Sequence, residues 1–294
     1  MTGKTKKEVL WLAVAFALLC FVSAYRQINL RYYPGDVARP FVVSAAYLLP
    51  LAVWCVSIRR RVTQRNMRIF LLWECAVMLL GVTVRFVQDA FLYQNTYLMR
   101  VSGYLVIIPM ILFPLLGLYA AFGLGRGEEY RFSPGWYCLL IPAGVFIALA
   151  LTDQSHHLIF RLRPDDIQTN LFFHPNLGFF LLAAWALLLE LLRIFLIYHR
   201  SREAVDAPQL NMAPFLIAAL MPIVSIPYIA GSFVVSVELI EYLALMFFLE
   251  AMVWETCILV GMVPVNSHYA EVFDRSTIAM QIVGQRGQVY LKSS

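Results

Sequence analysis

The chain has 294 residues, of which 61% are hydrophobic and only 14% charged. A water-soluble domain of this length still needs a large polar shell, so the composition excludes a soluble globular enzyme or binding module and indicates a polytopic membrane protein. The net charge of +5 does not point to nucleic acid, because the basic residues sit in short segments between apolar runs, where they act as topology signals.

Eight apolar runs are long enough to cross a bilayer as helices, at about 8–26, 40–58, 69–91, 101–124, 135–151, 177–199, 210–230 and 238–262. The first lacks a small-residue cleavage site and reads as an anchor rather than a signal peptide. The fifth is the shortest, and the seventh and eighth are divided only by the stretch 231–237. With the N-terminus inside, the cytoplasmic segments hold twelve Lys and Arg (Lys4, Lys6, Lys7, Arg59, Arg60, Arg61, Arg65, Arg68, Arg126, Arg131, Arg200, Arg202) and the outer segments six (Arg26, Arg31, Arg39, Arg100, Arg161, Arg163). The positive-inside rule therefore predicts an all-α protein of eight transmembrane helices with both termini cytoplasmic.

The longest outer loop, 152–176, carries His156, His157, Arg161, Arg163, Asp165, Asp166 and His174 and is a candidate cover for an outward pocket. Cys20, Cys55, Cys75, Cys138 and Cys257 all fall in apolar runs without CxxC spacing, so they read as small buried hydrophobes, with neither disulfide nor metal site expected. The adjacent histidines of the loop are wrongly arranged for axial haem ligation; an outer metal site with His174 and Asp165 or Asp166 is the competing reading. No phosphate-binding, zinc-protease, nucleophile-elbow or CxxC motif is present, and no cofactor is expected.

Ionisable residues inside apolar spans are costly and are functional candidates by default. Glu74, Arg193 and Glu255 lie five to seven residues from the inner ends of their spans, about 8 to 10 Å below the cytoplasmic boundary at helical rise. Glu190 is one turn from Arg193. One Arg among these carboxylates forms either a static clamp or a network that holds the last span in one of two positions. Glu250 lies deeper, as a packing residue or a proton relay. An outer set comprises Arg85 and Asp89, one turn apart on span 3, Tyr104 on span 4, and Glu238 and Glu241 opening span 8. Arg85 and Asp89 either pair with each other or line a cavity for a small polar or anionic ligand, with Arg85 as its anchor. Pro50, Pro109, Pro114, Pro142, Pro214, Pro222 and Pro227 mark positions where helices can bend. Tyr32, Tyr33, Trp54, Trp73, Tyr97, Tyr130, Trp136 and Tyr242 read as interfacial anchors.

The last apolar run breaks at Pro264. Beyond it Val265, Tyr269, Val272, Phe273 and Ser276 follow a helical spacing, with Asn266 or Ser267 available as N-cap. The piece TIAMQIVGQRGQVYLKSS alternates and turns at 284–287 like a β-hairpin. Last span and wet helix are expected to move as one rod.

Several of these stretches together resemble the N-terminal seven-helix membrane region of bacterial histidine kinases. They are the span ending in Arg59, Arg60 and Arg61, the span with Trp73, Glu74 and Gly81, the segment YLVIIPMILFP, the segment IPAGVFIALALTDQSHHLIF, and the exit GMVPVNSHYAEVFDRSTIAMQIV. The resemblance covers residues 40–294 and makes the first helix an addition. It implies an N-terminal helix and outer loop (1–39), a seven-helix sensor (40–262), a connector helix (263–276) and the truncated start of a PAS-like domain (277–294). It further implies a bacterial inner-membrane location, a small-molecule ligand, a homodimer, and a cytoplasmic signalling module or response regulator as partner. The kinase motifs themselves are absent, so this chain is expected to be no enzyme. Candidate ligand-binding residues are then Arg85, Asp89, Tyr104, Glu238, Glu241, His156 and His157, and candidate signal-relay residues Glu74, Glu190, Arg193, Glu250, Glu255 and Pro264. The alternative function is a small-solute transporter or channel using Glu250.

Overall fold

The computed structural model describes residues 36–92, 95–126, 130–161, 174–201, 212–229, 242–265, 281–283 and 289–292, and part of the stretch 14–33. Its main body is a bundle of apolar helices: α1 (Ala38–Arg61), α2 (Arg65–Val87), α3 (Thr96–Ala121), α4 (Leu140–Leu151), α5 (Leu177–Ser201), α6 (Ala213–Ile229) and α7 (Tyr242–Leu259). A π-helical stretch, Gln88–Leu92, prolongs α2, and a 3-10 turn, Pro134–Leu139, leads into α4. With those extensions, six helices among the described residues are long and apolar enough to cross a membrane, while the apolar stretch of α6, Ala213–Ile226, is shorter. The protein is an all-α polytopic membrane protein. Among the described residues, each predicted span from 40–58 onward overlaps a helix. The run 8–26 lies largely outside the described residues, of which 20–26 are helical.

Helix α5 shows why this is a bilayer fold. Leu181, Leu188, Leu192 and Phe195 are exposed, whereas Leu182, Leu189, Arg193 and Ile197 on the opposite side are buried. A helix in water turns its apolar stripe inward and its charges outward. Here both faces are apolar and the charged residues face protein, the arrangement that a hydrocarbon solvent selects. Exposed Val53, Trp73, Ile141 and Val145 continue this apolar exterior over α1, α2 and α4.

Helix α3 packs against α2, α4 and α5; α5 meets α6, α6 meets α7, and α7 returns to α2, with α1 flanking α2. Helices α3 and α7 are the most enclosed and α4 the least. The starts are locally encoded. Asp36 Oδ1 accepts from the amide of Ala38 at 2.9 Å, and Asn95 Oδ1 accepts from Leu98 at 3.1 Å, satisfying amides that have no intrahelical partner. Helix α1 closes on Arg59, Arg60 and Arg61, cations that complement its negative end.

The segment after α4 forms a tied turn. Thr152 leads into the one-turn helix Asp153–His156, and His157 adopts a left-handed conformation (φ 50°). Buried Asp153 accepts from the amides of Ile159 (2.7 Å) and Phe160 (3.1 Å). Strand β1 (Phe160–Arg161) then pairs antiparallel with β2 (His174–Pro175). Strands β3 (Gln281–Val283) and β4 (Val289–Lys292) pair antiparallel, as the alternating pattern of the C-terminal piece predicts, with an irregularity between Ile282 and Val283.

The end of α7 corrects the expected break at Pro264. The helix stops at Leu259 and Gly261 takes φ 77°. The amide of Met262 bonds to Cys257 O (3.0 Å) and that of Gly261 to Ile258 O (3.2 Å), the paired bonds of a Schellman end that favours glycine. Pro264 follows three residues later, where no helix remains to be broken. Helix α7 therefore does not continue through residues 260–265. Gly261→Ala is expected to cost about 1 kcal/mol through its left-handed backbone and to speed amide exchange over 260–265, measured by exchange mass spectrometry.

Candidate functional site

Two polar regions are built into the apolar bundle, and α7 runs from one to the other. The first is a sealed charge cluster. Arg193 of α5, Glu74 of α2 and Glu250 of α7 are all 0% exposed, and Glu190, a turn before Arg193, is 7% exposed. Arg193 Nη1 donates to Glu250 Oε1 and Nη2 to Glu190 Oε1, with Met221 Sδ of α6 at 2.9 Å from Nη2. Trp254, one turn beyond Glu250, donates its indole N–H to Glu74 Oε2 at 3.0 Å. The cluster thus joins α2, α5, α6 and α7. Helix α3 makes room for it at Gly117, where an added Cβ would stand 2.7 Å from Arg193 Nη1 and 3.1 Å from Glu74 Oε1.

The partner of Arg193 on α7 is Glu250 and not Glu255. Five residues along a helix turn the side chain by about 140°, so the two glutamates face different neighbours. Glu255 faces α1, where it accepts from Trp54 Nε1 at 2.9 Å and from Arg61. Trp54 is accordingly a buried donor (9% exposed) and not an interfacial anchor. Its partner is a carboxylate with a side chain 13% exposed, while that of Arg61 is 27% exposed. Glu255→Ala leaves the indole N–H without an acceptor and is expected to cost about 2 kcal/mol, whereas Trp54→Phe, which removes donor and desolvation together, costs about 1 kcal/mol. Thermal unfolding of the two variants in one detergent checks the order.

Just past Glu255, the exit is fastened to the rest of the bundle. The carbonyl of Pro264 accepts from the amide and hydroxyl of Thr63, each at 3.1 Å, and Val265 bridges to Val62 in the α1–α2 turn. The amide of Gly125, beyond α3, donates to Met262 O at 2.9 Å. Val260, Met262, Val263 and Val265 are all buried. Residues 266–280 and the expected connector helix lie outside the described residues.

The second region is a cleft of about 430 Å³, counting its open mouth, at the opposite ends of α1 and α2. Arg26, Arg39, Arg85 and Asp89 line it together with Tyr47 and with Leu243 and Ala244 from the first turn of α7. Asp89 stands in the π-helical stretch, a locally widened turn of a kind that recurs at functional sites. Arg85 Nη1 donates to Gln88 Oε1 at 3.1 Å, and Gln88 Nε2 to Ser102 Oγ of α3 at 3.1 Å. The expected pair Arg85 and Asp89 is thus in one cleft. Tyr104 is buried and packs toward Phe160 at 6.2 Å between ring centroids, away from the cleft lining. His156 and His157 also lie elsewhere: His156 bonds Thr152 Oγ1 at 3.0 Å and the amide of Leu158 at 3.2 Å, and His157 ends the one-turn helix, so both shape the tied turn. Glu238, Glu241, Asp165 and Asp166 lie outside the described residues, as does the side chain of His174; among the described residues no group of three His, Cys, Asp or Glu is placed to hold a metal. Sequence reasoning missed Arg26 and Arg39, which it counted only as outer-loop topology charges. Their position at the same end of the bundle as Arg85 was the available signal.

Family models, curated proteins and solved structures were compared with this chain, and none matches it.

Proposed function

We propose that the chain is the membrane-embedded sensing part of a signal-transduction protein, which registers a ligand in the cleft and passes a movement of α7 to the segment beyond Pro264. The observation that carries this reading is that one helix serves both ends: its first turn lines the cleft, and its last turns hold Glu250, Trp254 and Glu255 and lead into the fastened exit. Close contact between α2 and α7 supports the coupling. An added Cβ on Gly81 would lie 3.2 Å from the Phe247 ring, so a displacement of either helix is felt by the other, as in any interior packed to crystal-like density.

The exit lies beside the basic turn that follows Arg59, Arg60 and Arg61. Positive-inside placement of that turn makes this end cytoplasmic and the cleft outward, which supports eight spans with both termini inside. The resemblance to the seven-helix region of bacterial histidine kinases agrees with a bacterial inner-membrane receptor whose output is a cytoplasmic module, and with a role as receptor rather than enzyme. Ligand and exit communicate only if the ligand binds two arrangements of α7 unequally.

The test uses the full chain in sealed vesicles. A tag after Ser294 is expected to resist external protease, and solute flux is expected to be absent. A C-terminus digested from outside overturns the reading, and saturable flux replaces it with transport.

A further inference from the structure

The cleft has a defined ligand chemistry. Among the described lining residues, Arg26, Arg39 and Arg85 converge on it against one acid, Asp89, an excess of two positive charges within that set. Its remaining walls include Val43, Val82 and Phe86, and apolar walls strengthen the field of the guanidinium groups. Arg39 Nη1 is buried and has no hydrogen-bond partner among the described residues. A buried charged donor without an acceptor is the costly side of the hydrogen-bond asymmetry, and an entering acceptor relieves it.

We propose that this cleft binds an oxyanion, a carboxylate or phosphate group, with Arg39 as its principal donor and Arg26 and Arg85 supplying charge. The proposal deepens the receptor reading and rests on it only for the consequence of binding. Arginine suits this task because its planar N–H groups match the paired oxygens of such anions. The cleft lies at the N-terminal end of α1, a helix that crosses the bilayer, so the same group is reachable from water as a free anion or from the membrane as a lipid headgroup.

The experiment takes the purified full chain in phosphatidylcholine nanodiscs and follows its unfolding temperature and tryptophan emission. Inorganic phosphate and acetate are titrated against chloride at constant ionic strength, and a second set of nanodiscs contains phosphatidylglycerol without added anion. A saturable rise in unfolding temperature with phosphate or acetate identifies a free anion; a rise confined to phosphatidylglycerol identifies a headgroup. Arg39→Gln is expected to weaken either response about tenfold or more, Arg85→Gln to weaken it as well, and the exposed Arg59→Gln to leave it unchanged. Should Arg39→Gln fail to fold, Arg85→Gln decides. No response in any arm, or an undiminished response in the folded arginine variants, overturns the proposal. Saturable binding that leaves amide exchange over 260–265 unchanged keeps the anion site and overturns the receptor reading instead.

Discussion

Arg193→Met is expected to lower stability by about 3 to 5 kcal/mol, because it strands carboxylates in a sealed interior. Glu250 and Glu190 both lose their cation, and no exposed surface lets Glu250 recover water. The size of the effect separates this from an ordinary polar contact: neutral hydrogen bonds between membrane helices average about 0.6 kcal/mol. Methionine keeps the length and apolar bulk of the stem, so the loss reports charge rather than a cavity. The triple variant Arg193→Met, Glu190→Gln, Glu250→Gln removes the stranded acids and is expected to regain most of the loss, as neutral replacements of buried ion networks do. Reversible unfolding in mixed micelles, compared across wild type, single and triple variants, measures both. A loss below about 1 kcal/mol in Arg193→Met contradicts the assignment of the cluster as the junction between α5 and α7.

Gly117→Val is expected to cost about 3 kcal/mol, at the upper end of overpacking effects. The added Cβ alone would stand 2.7 Å from Arg193 Nη1. A long side chain usually yields to such a contact, but this guanidinium is held by Glu190 and Glu250 and touches Met221. Either α3 moves outward or Arg193 leaves its partners. Gly144→Val on α4 is the control: an added Cβ there meets nothing within 4 Å, so the change is expected to stay within about 0.5 kcal/mol. Equal effects at the two glycines contradict the close fit of α3 over the cluster.

The helices were legible because an apolar run of bilayer length is a strong signal on its own, and 177–199 or 40–58 needs no partner to be recognised. Pairing inside the bundle was less legible. Glu190 was grouped with Arg193 by helical spacing, but Glu74 and Glu255 were grouped with it by depth alone, and depth does not say which face of a helix a residue occupies, so Glu255 was assigned to Arg193 where Glu250 belongs. Trp54 was misread for the same reason, since tryptophan near a span end serves equally as an interfacial anchor or as a donor to a buried carboxylate. At the exit, Pro264 drew attention as a helix breaker while Gly261, the residue that ends α7, passed unnoticed beside it. Arg26 and Arg39 were hidden by their location in segments read for charge sign only. The histidine pair was chemically suggestive in sequence, yet His156 and His157 bond within their own turn.

The most direct measurement is the distance between α1 and the segment beyond the exit as the cleft is filled. Spin labels at Arg60→Cys and Ser267→Cys, in a chain whose Cys20, Cys55 and Cys138 are replaced by Ala, report it without labelling the buried Cys75 and Cys257. Phosphate, acetate or phosphatidylglycerol supplies the occupant, and Ala244→Phe, which enlarges the α7 wall of the cleft, perturbs the same place without one. Transmission along α7 predicts a distance distribution that shifts with the occupant, shifts with Ala244→Phe, and returns to the unoccupied form when Arg39→Gln is combined with the occupant. A distribution that stays the same in all of these states contradicts it.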